Sequence, residues 1–147
     1  MIVTPRFHFS SLAHDNSVPS SSIEDISIVP NLREATTMPP AVVLSGTQQV
    51  TKFAQKNPDD VRIYMALYWL ESKNVDLVVT FNIPVKSDDG DAVGEEEVKK
   101  AEEDFMVCVK SLEIVDYGLF VPAPRNAHST HRMMLQPTAT FFSSKND

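Results

Sequence analysis

The chain has 147 residues, 42% of them hydrophobic, and a formal net charge of −7; that length supports one buried core and one principal domain. The charge is uneven: from Pro122 onward Arg125, Arg132 and Lys145 face only Asp147, a net of +2, so residues 1–121 sum to −9. A body that acidic repels phosphate backbones and argues against nucleic acid, a basic protein surface being its natural complement, and no apolar run approaches the roughly 20 residues of a membrane-spanning helix.

Taken in chain order, the alternation around Arg6-Phe7-His8-Phe9-Ser10 predicts a short strand, and a Ser/Asn/Pro-rich loop follows to Ser22. Ile23, Ile26, Ile28 and Val29 predict a second strand, closed by Pro30. Pro39-Pro40 forbids ladder pairing in the segment before Ala41. Three longer strands are predicted at 41–53, 61–70 and 75–83. The middle one is the clearest, with Val61, Ile63, Met65, Leu67 and Trp69 on one face and Arg62, Tyr64, Ala66, Tyr68 and Leu70 on the other. Both faces are largely apolar, so this strand is expected to be central and covered on both sides. Asn57-Pro58-Asp59-Asp60 and Ser72-Lys73-Asn74 carry the turn chemistry that lets consecutive strands run antiparallel.

An acidic, Gly-containing loop then leads into a helix. Val98, Ala101, Phe105, Cys108, Val109 and Leu112 recur at helical spacing, opposite Lys99, Lys100, Glu102 and Glu103. The early glutamates and the later Lys110 suit the helix dipole. Cys108, the only cysteine, reads as a buried thiol of a reducing compartment. Glu113 to Phe120 returns to an extended pattern. Residues 122–147 lose all periodicity and are expected to be a disordered basic tail appended to a domain of residues 1–121.

Several of these segments carry a family resemblance. The run Leu44-Ser45-Gly46-Thr47-Gln48-Gln49-Val50-Thr51-Lys52, the alternating strand ending in Leu70, and Asp76-Leu77-Val78-Val79-Thr80-Phe81-Asn82-Ile83-Pro84 resemble the central strands of the Ran guanine-nucleotide release factors, the Mog family. Arg6-Phe7-His8-Phe9 is similar to that family's aromatic-His-Phe segment, and Leu112 to Asp116 with Leu119-Phe120 to its closing segment. The likeness implies an α+β fold, a mainly antiparallel sheet in an α/β/α sandwich related to the PsbP-type proteins. It implies a monomer that binds the GTPase Ran and promotes nucleotide release in support of nuclear protein import, in nucleus and cytoplasm. The family's opening Leu-Phe-Gly-Gly-Ala hairpin, its acidic Val-Pro-Asp segment and the following helix do not occur here. An N-terminally truncated sandwich is therefore expected, with one sheet face bare. Two alternatives stand beside exchange: a trafficking adaptor without exchange activity, and an inactive short form.

An exchange factor needs exposed polar groups on a rigid sheet and no covalent chemistry, because it acts by binding one state of the GTPase better than another. Gln48, Val50 and Lys52 are spaced by two and share a face of a regular strand. Gln48 and Lys52 are thus the candidate partner contacts, Lys52 toward an acidic group; an ordinary solvated face with Gly46 at a bulge is the alternative. Asp59, Asp60 and Arg62 read as a solvated turn, and Glu95 to Glu97 with Glu102, Glu103 and Asp104 as a helix start and wet face. His8 reads as a strand-surface residue. His128 and His131 have no Cys or carboxylate near them in the tail to complete a metal site. Ser45 lacks a nucleophile elbow and there is no Gly-rich phosphate loop, so neither hydrolysis nor a bound nucleotide or other cofactor is expected.

Overall fold

The computed structural model describes residues 3–18, 20–52, 56–120, 133–135 and 138–140. Its centre is an antiparallel meander of β1 (Ser21–Val29), β2 (Ala41–Val50), β3 (Asp59–Leu70) and β4 (Val75–Lys86), neighbours in the sheet in that order. Asn74, at φ 53°, makes the tight link between β3 and β4, a left-handed position that asparagine tolerates. The two faces of β3 divide as its alternation predicts. Ile63, Met65 and Leu67 join Leu44 and Val78 in one buried cluster. Tyr64, Ala66, Tyr68 and Leu70 join Val43, Val79 and Phe81 in the other.

Helix α2 (Glu95–Ser111) lies on the second face. Its Phe105 is fully buried, its ring 5.1 Å from Phe81 edge-on and 5.7 Å from Tyr64, a burial that contributes roughly 1.5–3 kcal/mol. The last carbonyls of a helix have no partner within it, and here the neighbours supply the donors. Tyr68 Oη donates to Val109 O at 2.7 Å, Leu32 N to Lys110 O at 2.8 Å and Asn31 Nδ2 to Leu112 O at 2.9 Å.

The first face is not bare. Residues Val3–Asp15, expected to begin with a strand, form α1, so the sandwich has a helix on each side of its sheet. Pro5, His8, Phe9 and Ala13 are buried while Arg6, Phe7, Ser10 and His14 face out, a 3.6-residue period. Pro5 sits in the first turn, where its missing N–H costs nothing. The inward stripe escaped the sequence reading because its polar member is inside and its neighbour Phe7 outside, which mimics strand alternation. Phe9 and Leu12 close over Leu44, Ile63, Met65 and Val78.

Two further expectations change. Beyond α2, the described chain makes a 3-10 turn at Tyr117–Leu119 rather than an extended segment, with Asp116 Oδ1 accepting from Gly118 N at 2.7 Å; Asp-x-Gly turn chemistry prevails there. Within the stretch expected to be a disordered tail, β5 (Met133–Leu135) and β6 (Thr138–Thr140) pair in parallel with β4. An apolar or β-branched triplet becomes a strand when a distant edge offers it hydrogen bonds, which local periodicity does not reveal. His128, His131 and the remainder of 122–147 lie outside the described residues.

Candidate functional site

At one end of the meander three elements converge: the end of β2, the start of β3 and the loop after β4. Val50 pairs with Asp59, so the chain leaving β2 carries Lys52 back toward the first residue of β3. Lys52 Nζ lies 2.8 Å from Asp59 Oδ2 and 3.6 Å from both Asp89 Oδ2 and Asp91 Oδ2. Asn57 Nδ2 donates to Asp88 Oδ2 at 2.8 Å, tying the β2–β3 turn to the same loop. Gly90, at φ 80°, supplies the left-handed residue on which that loop reverses.

The electrostatics follow from burial. Asp59 is 1% exposed, and its Oδ1 has no hydrogen-bond partner among the described residues. Its charge is therefore balanced chiefly by the ammonium on Oδ2. The hydrogen bond that the Lys52 ammonium donates to Asp59 is the main cause holding the Lys52 pKa above its ordinary value, against the opposing effect of burial; the charges of Asp59, Asp89 and Asp91 add to it. One lysine among three aspartates leaves the rim net negative, with Asp89 and Asp91 half or more exposed to solvent. Such a rim is electrostatically complementary to a cationic surface. No group of three metal-ligating side chains occurs among the described residues.

The two candidate contacts separate in the structure. Lys52 is at the rim and 42% exposed, but its ammonium is already shared among acids of its own chain. Gln48 is 0% exposed, and its Nε2 donates to Phe9 O at 3.0 Å beneath α1. The expectation of a solvated Gln48 is corrected, because the face of β2 that it occupies is the one α1 covers. The sequence reading passed over Asp59, Asp89 and Asp91 as solvated turn and loop. The antiparallel register, which brings Asp59 opposite Val50, was the available signal for the first of them.

His8 is likewise corrected. It is buried, and its Nε2 lies 3.1 Å from Oδ2 of the equally buried Asp76 on β4. Elsewhere Glu24 on β1 ion-pairs with Arg62 on β3 and accepts from Thr47 Oγ1 on β2 at 2.9 Å, lacing three strands together.

Fold and site together describe a small α+β sandwich with a helix on each face and an acid-rich rim at one end of its sheet. The Ran-interacting Mog1 protein family matches residues 4–84, from α1 into β4, and the chain belongs to that family. A "Probable ran guanine nucleotide release factor" of Dictyostelium discoideum is 32% identical over 132 residues, 79% of this chain and 66% of that protein. The "Ran guanine nucleotide release factor" of Homo sapiens is 32% identical over 128 residues, 80% of this chain and 65% of that protein. That of Danio rerio is 27% identical over 122 residues, covering 78% and 67%. The chain thus spans about two thirds of the length of these relatives. No solved structure matches it.

Proposed function

We propose that this chain binds the GTPase Ran and promotes release of its guanine nucleotide, in support of nuclear protein import, acting as a monomer in nucleus and cytoplasm. The observation that carries the reading is the family match over residues 4–84, which takes in Lys52 and Asp59. Residues 1–121 are the Mog-like domain of this reading and 122–147 an appended segment. The chain works as a regulator of a GTPase: it binds the nucleotide-free or distorted form better, and nucleotide affinity falls by the same factor. The rim is its contact surface. Asp89 and Asp91 draw a cationic side chain of Ran, Lys52 holds the carboxylates in place, and Gln48 acts indirectly by anchoring α1.

The test is release of a fluorescent guanine nucleotide from purified Ran by the whole chain. Asp89→Asn with Asp91→Asn is compared with Lys52→Arg, which keeps the charge that balances Asp59. Faster release by the parent chain and by Lys52→Arg, lost in the double variant, supports the rim. Acceleration that survives the double variant moves the contact elsewhere on the domain. Binding to Ran at equal strength in every nucleotide state, with no acceleration, replaces exchange by a trafficking-adaptor role.

A further inference from the structure

Strand β4 is paired along both of its edges. One side of β4 pairs with β3 from Val75 to Lys86. The other side takes up two pieces of chain from far along the sequence. Val75, Asp76 and Leu77 pair with Met133, Met134 and Leu135; Thr80, Phe81 and Asn82 pair with Thr138, Ala139 and Thr140. Both pieces hold the same offset of 58 residues along β4, so they read one continuous register. They are also the parallel members of a sheet whose other pairings are antiparallel.

The two edges of the sheet differ in how much protection they need. Edge strand β1 has a register irregularity between Ile23 and Asp25, with Glu24 and Asp25 at that point, devices that discourage further pairing. From Leu77 to Ile83, β4 carries no charge and no proline. Such a run, left unpaired, is a template for edge-to-edge association. Parallel pairing is slightly weaker per residue than antiparallel, and Pro137, between the two pieces, has no N–H to offer a ladder. The occupant is therefore a weak one on an edge that attracts strands. Residues 122–147 carry a net +2 against the −9 of the rest, which favours their return to the domain over loss to solution. The paired segment also lies outside the residues matched to the family.

We propose that the outer edge of β4 is a strand-acceptor site for an extended peptide, and that Met133–Leu135 and Thr138–Thr140 are its resident, displaceable occupants. While in place they guard the edge; once displaced, the edge pairs with that of a second copy of this chain. The proposal does not depend on Ran binding, and its test contains no GTPase.

Two variants are compared with the full chain: one ending at residue 121, and a full-length one carrying Met134→Pro with Ala139→Pro. The two prolines have opposite parity, so one of them removes an N–H aimed at β4. Hydrogen exchange is followed at the amides of residues 75–82, with the amides bonded to β3 as an internal control for global unfolding, and association is followed by sedimentation across a concentration series. At a dilution where the variants are monomeric, the outward amides should exchange roughly ten- to a hundredfold faster in both, the loss of one or two ladder bonds, with the β3-bonded amides unchanged. Both variants should also self-associate with concentration, and a synthetic peptide of residues 131–142 should return the shortened chain to monomer. Equal exchange of the outward amides in all three proteins overturns the acceptor site. Faster exchange without association at any concentration overturns the guarding role. If the shortened chain does not fold, the proline variant alone decides.

Discussion

His8 Nε2 lies 3.1 Å from Asp76 Oδ2, both side chains almost wholly buried, and this contact joins the first helix to the last long strand across 68 residues. It brings together the histidine of one family-like segment and the leading aspartate of another, so the two segments form one structural unit. His8 Nδ1 has no hydrogen-bond partner among the described residues, so the ring is oriented through its Nε2 contact with Asp76.

Removing one member of a buried hydrogen-bonded pair typically costs about 1–3 kcal/mol. His8→Ala and Asp76→Ala should each lower unfolding free energy on that order, and the double variant by less than the sum. Urea unfolding of the four proteins measures the coupling. Additive losses would show that the two side chains stabilise the fold independently.

The same pair shows where sequence reasoning reaches and where it stops. The division of β3 into two apolar faces was legible because burial on both sides leaves an uninterrupted apolar run with clear parity. The long strands, α2 and its Phe105-Val109 face followed from periodicity in the same way. α1 was not legible: a buried histidine is satisfied by an aspartate 68 residues away, and no local pattern announces that partner. Of the rim, Lys52 was visible as a candidate, whereas the acids that hold it arrive from the start of β3 and the loop after β4. Gln48 carried the same spacing signal but opposite exposure, because spacing by two assigns a face without saying what covers it. The strands Met133–Leu135 and Thr138–Thr140 depend wholly on a distant edge.

Gly46 meets α1 where no side chain fits. A Cβ there would stand 2.5 Å from Ser22 O and 2.7 Å from Phe9 Cζ. Gly46→Ala must push a strand and a helix apart, an overpacking loss of about 1–3 kcal/mol. Adding Phe9→Leu should recover only part of it, since the Ser22 carbonyl belongs to the paired backbone of β1. Thermal melts of the single and double variants check this, and full recovery would locate the strain in the Phe9 ring alone.

Lys52 makes a prediction about pH as well as about partners. Its pKa is raised in the fold, chiefly by the hydrogen bond with Asp59, so its stabilising effect is fully present below the ordinary lysine value of 10.5. The effect disappears as pH climbs through the higher folded value. Lys52→Met should therefore melt below the parent chain at pH 7, leaving Asp59 buried without its cation. The gap should narrow under alkaline conditions above 10.5. It should also shrink in high salt, because the ammonium is part-exposed and screened. Equal melting temperatures at pH 7 would mean that the pair with Asp59 contributes nothing measurable.

Tyr68 holds the C-terminal end of α2 from beneath. Its hydroxyl donates to Val109 O at 2.7 Å, and burial pushes its pKa well above the ordinary 10.0, with the Cys108 thiol a lesser cause. In Tyr68→Phe the carbonyl loses a donor it cannot replace inside the helix, at a cost of about 1–2 kcal/mol at neutral pH. The alkaline behaviour distinguishes this from a simple loss of packing. An unfolded tyrosine releases its proton near 10.0 while the folded one keeps it, so the parent chain loses stability as pH rises above that value. Each proton so released steepens the fall by about 1.4 kcal/mol per pH unit. Tyr68→Phe removes this group from the balance, and its stability should decline more gently from pH 10 to 11. Denaturant titrations of both proteins at pH 7, 10 and 11 measure the two slopes. Parallel slopes would show that the Tyr68 hydroxyl ionises as freely in the fold as in the open chain, and that its bond to Val109 does not hold the helix end.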